Sequence, residues 1–191
     1  MQETVQNSAP APPAALPGRP RWYGQTWGWL RDLFISIGIS AFIIVFLYQP
    51  VEVEGTSMLP GLQDQERIFV NKFVYNFEAI QRGDIVVFHY PLDPSKSYIK
   101  RVVGVPGDHI RITDGEVYVN SKPLAEPYVP QEYFDARSMV ESTVPENSYF
   151  VLGDHRSMSN DSRDFGAVNK SYIFGKAVLV YWPVEKLSMV R

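Results

Sequence analysis

Cysteine is absent from the chain. That absence removes disulfide bonds, thiolate metal sites and a cysteine nucleophile together. It fits an oxidising compartment without requiring one. Histidine is scarce. His89, His109 and His155 are the whole supply, and none stands in a metal-binding spacing such as His-Glu-x-x-His. Each suits a surface or hydrogen-bonded role, and none pairs obviously with a serine as a Ser-His-Asp triad would need. Basic charge is not in excess either: 18 Lys and Arg stand against 21 Asp and Glu, for a net charge of -3. Nothing therefore suggests nucleic acid as a partner. No internal repeat is apparent, and helical periodicity is weak outside one apolar run.

What is present is enough apolar material for a core, 45% of 191 residues, which suggests one domain with appendages. Residues 1–20, rich in Pro, Ala, Gln and Ser, cannot bury enough surface to order themselves and read as a disordered tail. Trp22, Tyr23, Trp27 and Trp29 then mark a juxtamembrane stretch, because such rings favour a half-wet membrane interface. Leu33 to Tyr48 carries no charge. A membrane-spanning helix needs about 17–25 residues, a length reached when the flanks Leu30 to Gln49 are included. A cleavable signal peptide would have a shorter core and a small-residue site after it, which Tyr48-Gln49-Pro50 does not supply. A buried core helix is the other rival. Arg19, Arg21 and Arg31 precede the run, and no basic residue follows it before Arg67. The positive-inside rule then puts the N-terminus in the cytoplasm and the rest outside. The expected organisation is a tail and juxtamembrane segment over 1–29, a single transmembrane helix over 30–49 and an extracytoplasmic domain over 50–191.

That domain reads as β. Val51 to Glu54 alternates, and Arg67–Lys72, Asp84–Tyr90 and Tyr98–Val105 are runs of β-branched and aromatic residues. His109–Ile112 and Glu116–Val119 flank Thr113-Asp114-Gly115, a hairpin signal. Residues 121–147 are polar and Pro-bearing and read as an extended excursion. Tyr149–Leu152 and Lys176–Trp182 close the sheet system.

Three stretches carry possible chemistry. Glu54-Gly55-Thr56-Ser57-Met58-Leu59-Pro60 reads as a strand end, a glycine bend and a serine on a turn, either an ordinary turn residue or a nucleophile. In Tyr98-Ile99-Lys100-Arg101-Val102-Val103, alternation groups Lys100 with Tyr98 and Val102, and Arg101 with Ile99 and Val103. It does not say which face is the core. Lys100 is a solvated strand lysine, or a desolvated one whose lowered pKa lets it take a serine proton. Gly153 to Gly166, rich in Asp, Asn and Ser, is a hydrogen-bonded loop. A calcium loop is disfavoured, since Asp154, Asn160, Asp161 and Asp164 do not follow EF-hand order and two arginines interrupt them.

Taken in order with the apolar run before them, Gly55-Thr56-Ser57-Met58-Leu59-Pro60, Tyr98-Ile99-Lys100-Arg101-Val102-Val103-Gly104 with Pro106-Gly107-Asp108, and Gly153-Asp154-His155-Arg156 through Ser159-Asn160-Asp161-Ser162-Arg163 resemble a bacterial-type type I signal peptidase, or leader peptidase. The resemblance covers the chain from about Leu30 to Trp182. It implies a mainly β fold, an antiparallel catalytic domain behind one N-terminal transmembrane helix at the cell membrane. It implies a Ser-Lys dyad serine endopeptidase without metal or cofactor, acting through an acyl-enzyme. Such an enzyme removes signal peptides from exported preproteins after small residues in an Ala-x-Ala pattern. By the same resemblance Ser57 is the nucleophile and Lys100 the general base. Ser159 orients the lysine, Asp161 and Arg163 form a supporting ion pair, and Asp154 shapes the loop. The backbone N–H of Ser57 is the first oxyanion donor. Some members supply a second from a serine hydroxyl two residues before the nucleophile, where this chain has Gly55, so either another group such as Thr56 or a water fills the role or the hole is weaker. Gly61 and His155 stand where a threonine and an asparagine are common. The implied partners are secretory preproteins, the lipid bilayer and the protein export machinery.

Substrate is expected to add as a strand beside Val51 to Gly55, so that Val53→Pro should weaken cleavage without unfolding the domain. Two other readings compete. A self-cleaving repressor-type Ser-Lys peptidase would need a DNA-binding head and no anchor. A membrane-tethered β binding module would use Ser57 and Lys100 only structurally.

Overall fold

A computed structural model describes the backbone of residues 22–190 and the side chains of 27–42 and 48–190. The tail expected over residues 1–20 lies outside the described residues. The chain forms two units, divided between Ala41 and Phe42.

Helix α1, Trp22–Leu47, is 26 residues long. Its described apolar side chains are exposed on every side, Leu30, Leu33, Phe34, Ile35, Ile37 and Ile39 among them. Among the described residues no helix is long and apolar enough to cross a membrane.

The rest is antiparallel β. The larger sheet contains β1 (Tyr48–Glu52), β2 (Arg67–Asn71), β3 (Ile85–Tyr90), β4 (Asp93–Gly104), β9 (Ser148–Leu152), β10 (Val168–Asn169), β11 (Ile173–Trp182) and β12 (Ser188–Met189). Its order is β1-β2-β11-β3-β4-β9-β10, with β12 on β11. The smaller sheet contains β5 (His109–Thr113), β6 (Glu116–Val119), β7 (Lys122–Pro123) and β8 (Met139–Thr143), in the order β7-β6-β5-β8. Two four-residue helices, α2 (Val74–Phe77) and α3 (Ser162–Phe165), complete the elements.

The β5–β6 hairpin forms on the expected residues. Thr113 pairs with Glu116, and Asp114 and Gly115 both take positive φ, 48° and 82°. This is the backbone a two-residue turn needs to match the twist of its strands. The expected excursion over 121–147 is only partly irregular, because β8 lies within it and pairs with β5. Four of its five side chains are exposed, so it carries no alternation by which to recognise it.

Apolar alternation sets three core clusters. In β3, Ile85 and Val87 face one cluster, with Met58, Leu62 and Ile68, while Val86 and Phe88 face another, with Val102 and Val151. The third lies between β5, β6 and β9, around Ile110, Val117 and Phe150. The central sheet is therefore covered on both faces, and β4 is buried continuously from Lys100 to Gly104. A polar side chain in that run must find a partner. This places Lys100 and Arg101 in the interior.

Candidate active site

Lys100 is 4% exposed. Its Nζ lies 2.7 Å from Ser57 Oγ and donates to the carbonyl of its own neighbour Ile99 at 3.0 Å. The Tyr98 ring lies 5.3 Å away. Burial pushes the Lys100 ammonium down to about 8; Asp161 and Asp154 oppose the shift and Arg163 reinforces it. The sign follows from desolvation, which penalises the charged form of a base. With a midpoint near 8, about a tenth of the molecules hold a neutral amine at pH 7, against fewer than about one in a thousand for an unperturbed lysine. In the neutral form the short contact reverses, and the Ser57 hydroxyl donates to the amine.

Ser57 stands on a turn in which Leu59 N–H donates to Thr56 C=O at 3.1 Å and Leu62 N–H to Met58 C=O at 2.9 Å. Gly55, at φ +90°, makes the bend before it, and its N–H donates to Asp64 Oδ1 at 2.7 Å. The Ser57 carbonyl accepts from His155 N–H at 3.1 Å. The Ser57 N–H has no acceptor among the described residues.

The loop from Gly153 forms the floor. Asp154 is 1% exposed and accepts two hydrogen bonds from Arg101, at 2.8 and 2.6 Å. Burial pushes its carboxyl up while Arg101 pulls it down. Arg101 also donates to Gly83 C=O at 3.1 Å and stacks over the Tyr128 ring at 4.1 Å. Removing one member of such a buried pair costs roughly 3–5 kcal/mol, because the other is left charged and dry. Asp161 is fully buried and caps α3. It accepts from Arg163 Nε and Nη2, each at 2.8 Å, and from Gly153 N–H at 3.1 Å. The expected Asp161–Arg163 pair is thus formed.

Ser159 is buried on the same floor, and its Oγ has no hydrogen-bond partner among the described residues. The hydrogen bond to Lys100 that the resemblance implies is not made in this geometry. A Cβ on Gly153 would lie 2.2 Å from Ser159 Oγ and 2.5 Å from the Ser57 carbonyl oxygen. Only glycine admits this approach.

Several contributors carried no sequence signal. Glu126, Tyr128, Tyr133 and Asp135 come from a polar stretch that nothing in the pattern ties to the loop, and Arg101 lies in the Tyr98–Gly104 motif, which does not name its partner. Yet Arg156 holds Glu126 through two bonds, at 2.8 and 2.5 Å, and Arg163 holds Asp135 at 2.9 Å.

Ser57 and Lys100 open onto a cleft of about 790 Å³, lined on one side by Val51 to Met58 and on the other by Ser95 to Lys100, with Met158 and Asn160. Val53 is buried. Its N–H donates to Glu66 C=O and its C=O accepts from Gln65 N–H, both at 2.8 Å. Both backbone groups therefore face the 65–66 segment, and by alternation those of Glu54 face the cleft. This corrects the expectation for Val53→Pro, which would break a backbone bond in the core. The position that tests the edge is Glu54. Across the cleft, β4 pairs with β3 at Ser97, Tyr98 and Ile99 but meets β9 only from Arg101 onward, so its other edge is open here.

A serine hydroxyl held against a desolvated amine, beside an unpaired backbone N–H and an open strand edge, is the arrangement of a peptidase. Comparison with known proteins agrees. Residues 26–182 match the family model described as signal peptidase, peptidase S26. Signal peptidase I of Bacillus amyloliquefaciens is 37% identical over 175 residues, covering 86% of this chain and 90% of that protein. Signal peptidase I of Leptolyngbya laminosa is 35% identical over 189 residues, covering 94% and 90%. The crystal structure of a signal peptidase I from Enterococcus faecalis is 33% identical and covers 52% of this chain and 97% of its own, with a TM-score of 0.46. The chain is a hydrolase of the peptidase class. It belongs to the signal peptidase family, peptidase S26, as a type I signal peptidase.

Gly153→Ala is expected to displace the Ser57 turn or Ser159, and a misplacement of about 1 Å costs on the order of a hundredfold in rate. Peptidase assay of the folded variant checks this; activity within twofold of the parent would contradict it.

Proposed function

We propose that the protein is a membrane-anchored serine endopeptidase that removes signal peptides from exported preproteins after small residues. In this reading Ser57 is the nucleophile and Lys100 the general base. The carrying observation is the 2.7 Å contact between Ser57 Oγ and the buried Lys100 amine. Neutral Lys100 takes the hydroxyl proton as Ser57 Oγ attacks the scissile carbonyl. The carbonyl oxygen becomes the oxyanion, and the Ser57 N–H donates to it. The Lys100 ammonium then protonates the departing amine, leaving an acyl-enzyme. Water, deprotonated by Lys100, releases the acid and restores the serine. Ser159, a buried hydroxyl on the same floor, holds the lysine amine once Ser57 has turned to attack. Asp154 and the Asp161–Arg163 pair fix the loop and set the field at the amine. The absence of a hydroxyl at Gly55 leaves the Ser57 N–H as the principal oxyanion donor.

Substrate binds as an added strand in the cleft, between the Glu54 edge and the open edge of β4. The apolar Met58 and Val87 in the cleft lining favour apolar side chains near the cut, in keeping with the alanines of an Ala-x-Ala pattern. The anchor is α1. Its described apolar side chains are exposed all round the helix. Arg31, with Arg19 and Arg21 before the helix, favours a cytoplasmic N-terminus and an extracytoplasmic β domain. Secretory preproteins, the bilayer and the export machinery are then its partners. The similarity to proteins named signal peptidase I supports the substrate class.

Three outcomes are expected. Ser57→Ala and Lys100→Ala, folded, should lose cleavage of a preprotein with an Ala-x-Ala site by at least about a thousandfold, as variants of an acting pair do. Cleavage at the parental rate by either would sink the dyad.

The parental kcat/KM should fall as pH drops through about 8, where the Lys100 amine gains its proton, and level off above. A flat profile from pH 6 to 10 would oppose a lysine base.

Glu54→Pro should lower kcat/KM about two- to tenfold, the worth of one lost backbone hydrogen bond, with the melting temperature unchanged. Unaltered cleavage would contradict strand addition at this edge.

A further inference from the structure

The peptide group between Thr56 and Ser57 is gripped at its carbonyl. Thr56 C=O accepts from Leu59 N–H at 3.1 Å and lies 3.2 Å from His155 Nδ1. A carbonyl oxygen can only accept, so Nδ1 carries the proton, whether the ring is neutral or charged. A trans peptide is planar, with its N–H directed opposite to its C=O. Holding the Thr56 carbonyl toward His155 therefore turns the Ser57 N–H the other way. That N–H has no acceptor among the described residues, and Thr56 and Ser57 both line the cleft.

His155 is itself fixed from two sides. Its own N–H donates to the Ser57 carbonyl at 3.1 Å, and its ring packs on Tyr133 with centroids 4.2 Å apart. Tyr133 closes a short turn, Gln131–Tyr133, in a stretch anchored to the floor loop by the Glu126–Arg156 and Asp135–Arg163 pairs. The imidazole thus has a wall behind it and the nucleophile turn in front.

We infer that His155 is a positioning residue for the oxyanion donor: its Nδ1–H pins the Thr56 carbonyl so that the Ser57 N–H points at the oxygen of the scissile carbonyl. The inference rests on the reading of Ser57 as nucleophile. With Gly55 offering no hydroxyl, this one N–H carries most of the developing charge, and its direction weighs more than where two donors share the task. His155 neither takes nor gives a proton in the reaction, and its donor is present in both ring states.

The test uses the full chain in detergent, with a preprotein substrate and a peptide aldehyde ending in the same small-residue sequence. The aldehyde binds by forming a bond from Ser57 Oγ to its carbonyl carbon. The serine proton passes to Lys100, and the aldehyde oxygen becomes the oxyanion. His155→Phe keeps a ring against Tyr133 and removes the donor. His155→Asn places an N–H on the atom bonded to Cγ, as in Nδ1 of histidine. His155→Phe should lower kcat about ten- to a hundredfold, short of or equal to the loss for deleting an oxyanion donor. Its KM should stay within about twofold, and its aldehyde affinity should fall in the same ratio as kcat. His155→Asn should restore both. Parental kcat in His155→Phe, a fall in kcat with aldehyde affinity unchanged, or no rescue by His155→Asn would each overturn the inference. If His155→Phe melts below the assay temperature, His155→Asp replaces it, being isosteric with Asn and lacking the N–H. Ser57→Ala is run alongside. If it still cleaves, the nucleophile reading itself fails; if it is dead while His155→Phe is normal, only the positioning role fails.

Discussion

A lysine amine held out of water against a serine hydroxyl is the constraint on which the rest of the structure depends. An amine in bulk water would be charged at neutral pH and useless as a base. Here burial, reinforced by the Arg163 charge, brings the Lys100 midpoint to about 8, and it does so against the pull of two nearby carboxylates. The protein must therefore keep Asp154 and Asp161 beside the amine while restraining their effect. It does this with arginines. Arg101 grips Asp154 and Arg163 grips Asp161, so neither carboxylate faces the lysine unpaired. Such buried pairs contribute little net stability, and their value in this site is positional.

The sheet supplies the geometry. β4 is buried on both faces from Lys100 onward, and this single strand carries both the amine and the arginine that anchors the floor loop. The turn bearing Ser57 is held to that floor through Gly153, His155 and the capped start of α3. Where β4 lies beyond its pairing with β9, its edge opens onto the cleft opposite Glu54. The strand that carries the buried amine thus also offers one wall of the cleft.

Much of this was legible in the sequence, and the gaps have physical causes. The strands with alternating or β-branched runs stood out, as did the Asp114-Gly115 hairpin, because their signals are local. β8 did not, since its side chains are mostly exposed. Ser57 and Lys100 are 43 positions apart, and no spacing rule joins them; only three motifs in order suggested that they meet. Alternation left the face of Lys100 open because there is no solvent face at that point. The contacts of Glu126, Tyr133 and Asp135 with the floor loop were invisible, as a polar Pro-bearing stretch looks the same whether it is solvated or clamped by arginines. Val53 misled for a related reason. Alternation says which residues share a direction, and only the observed bonds to residues 65 and 66 show that Val53 faces inward and Glu54 the cleft.

The central claim is that the fold makes the Lys100 ammonium a strong enough acid to leave a neutral amine, and so a base, near neutral pH. The most direct measurement is a pH titration of the Lys100 side-chain nitrogen by NMR in the full chain, with lysine labelled in 15N and the signal assigned by its loss in Lys100→Ala. A midpoint near 8 is the result the account predicts. A midpoint at the ordinary lysine value, about 10.4, would contradict it.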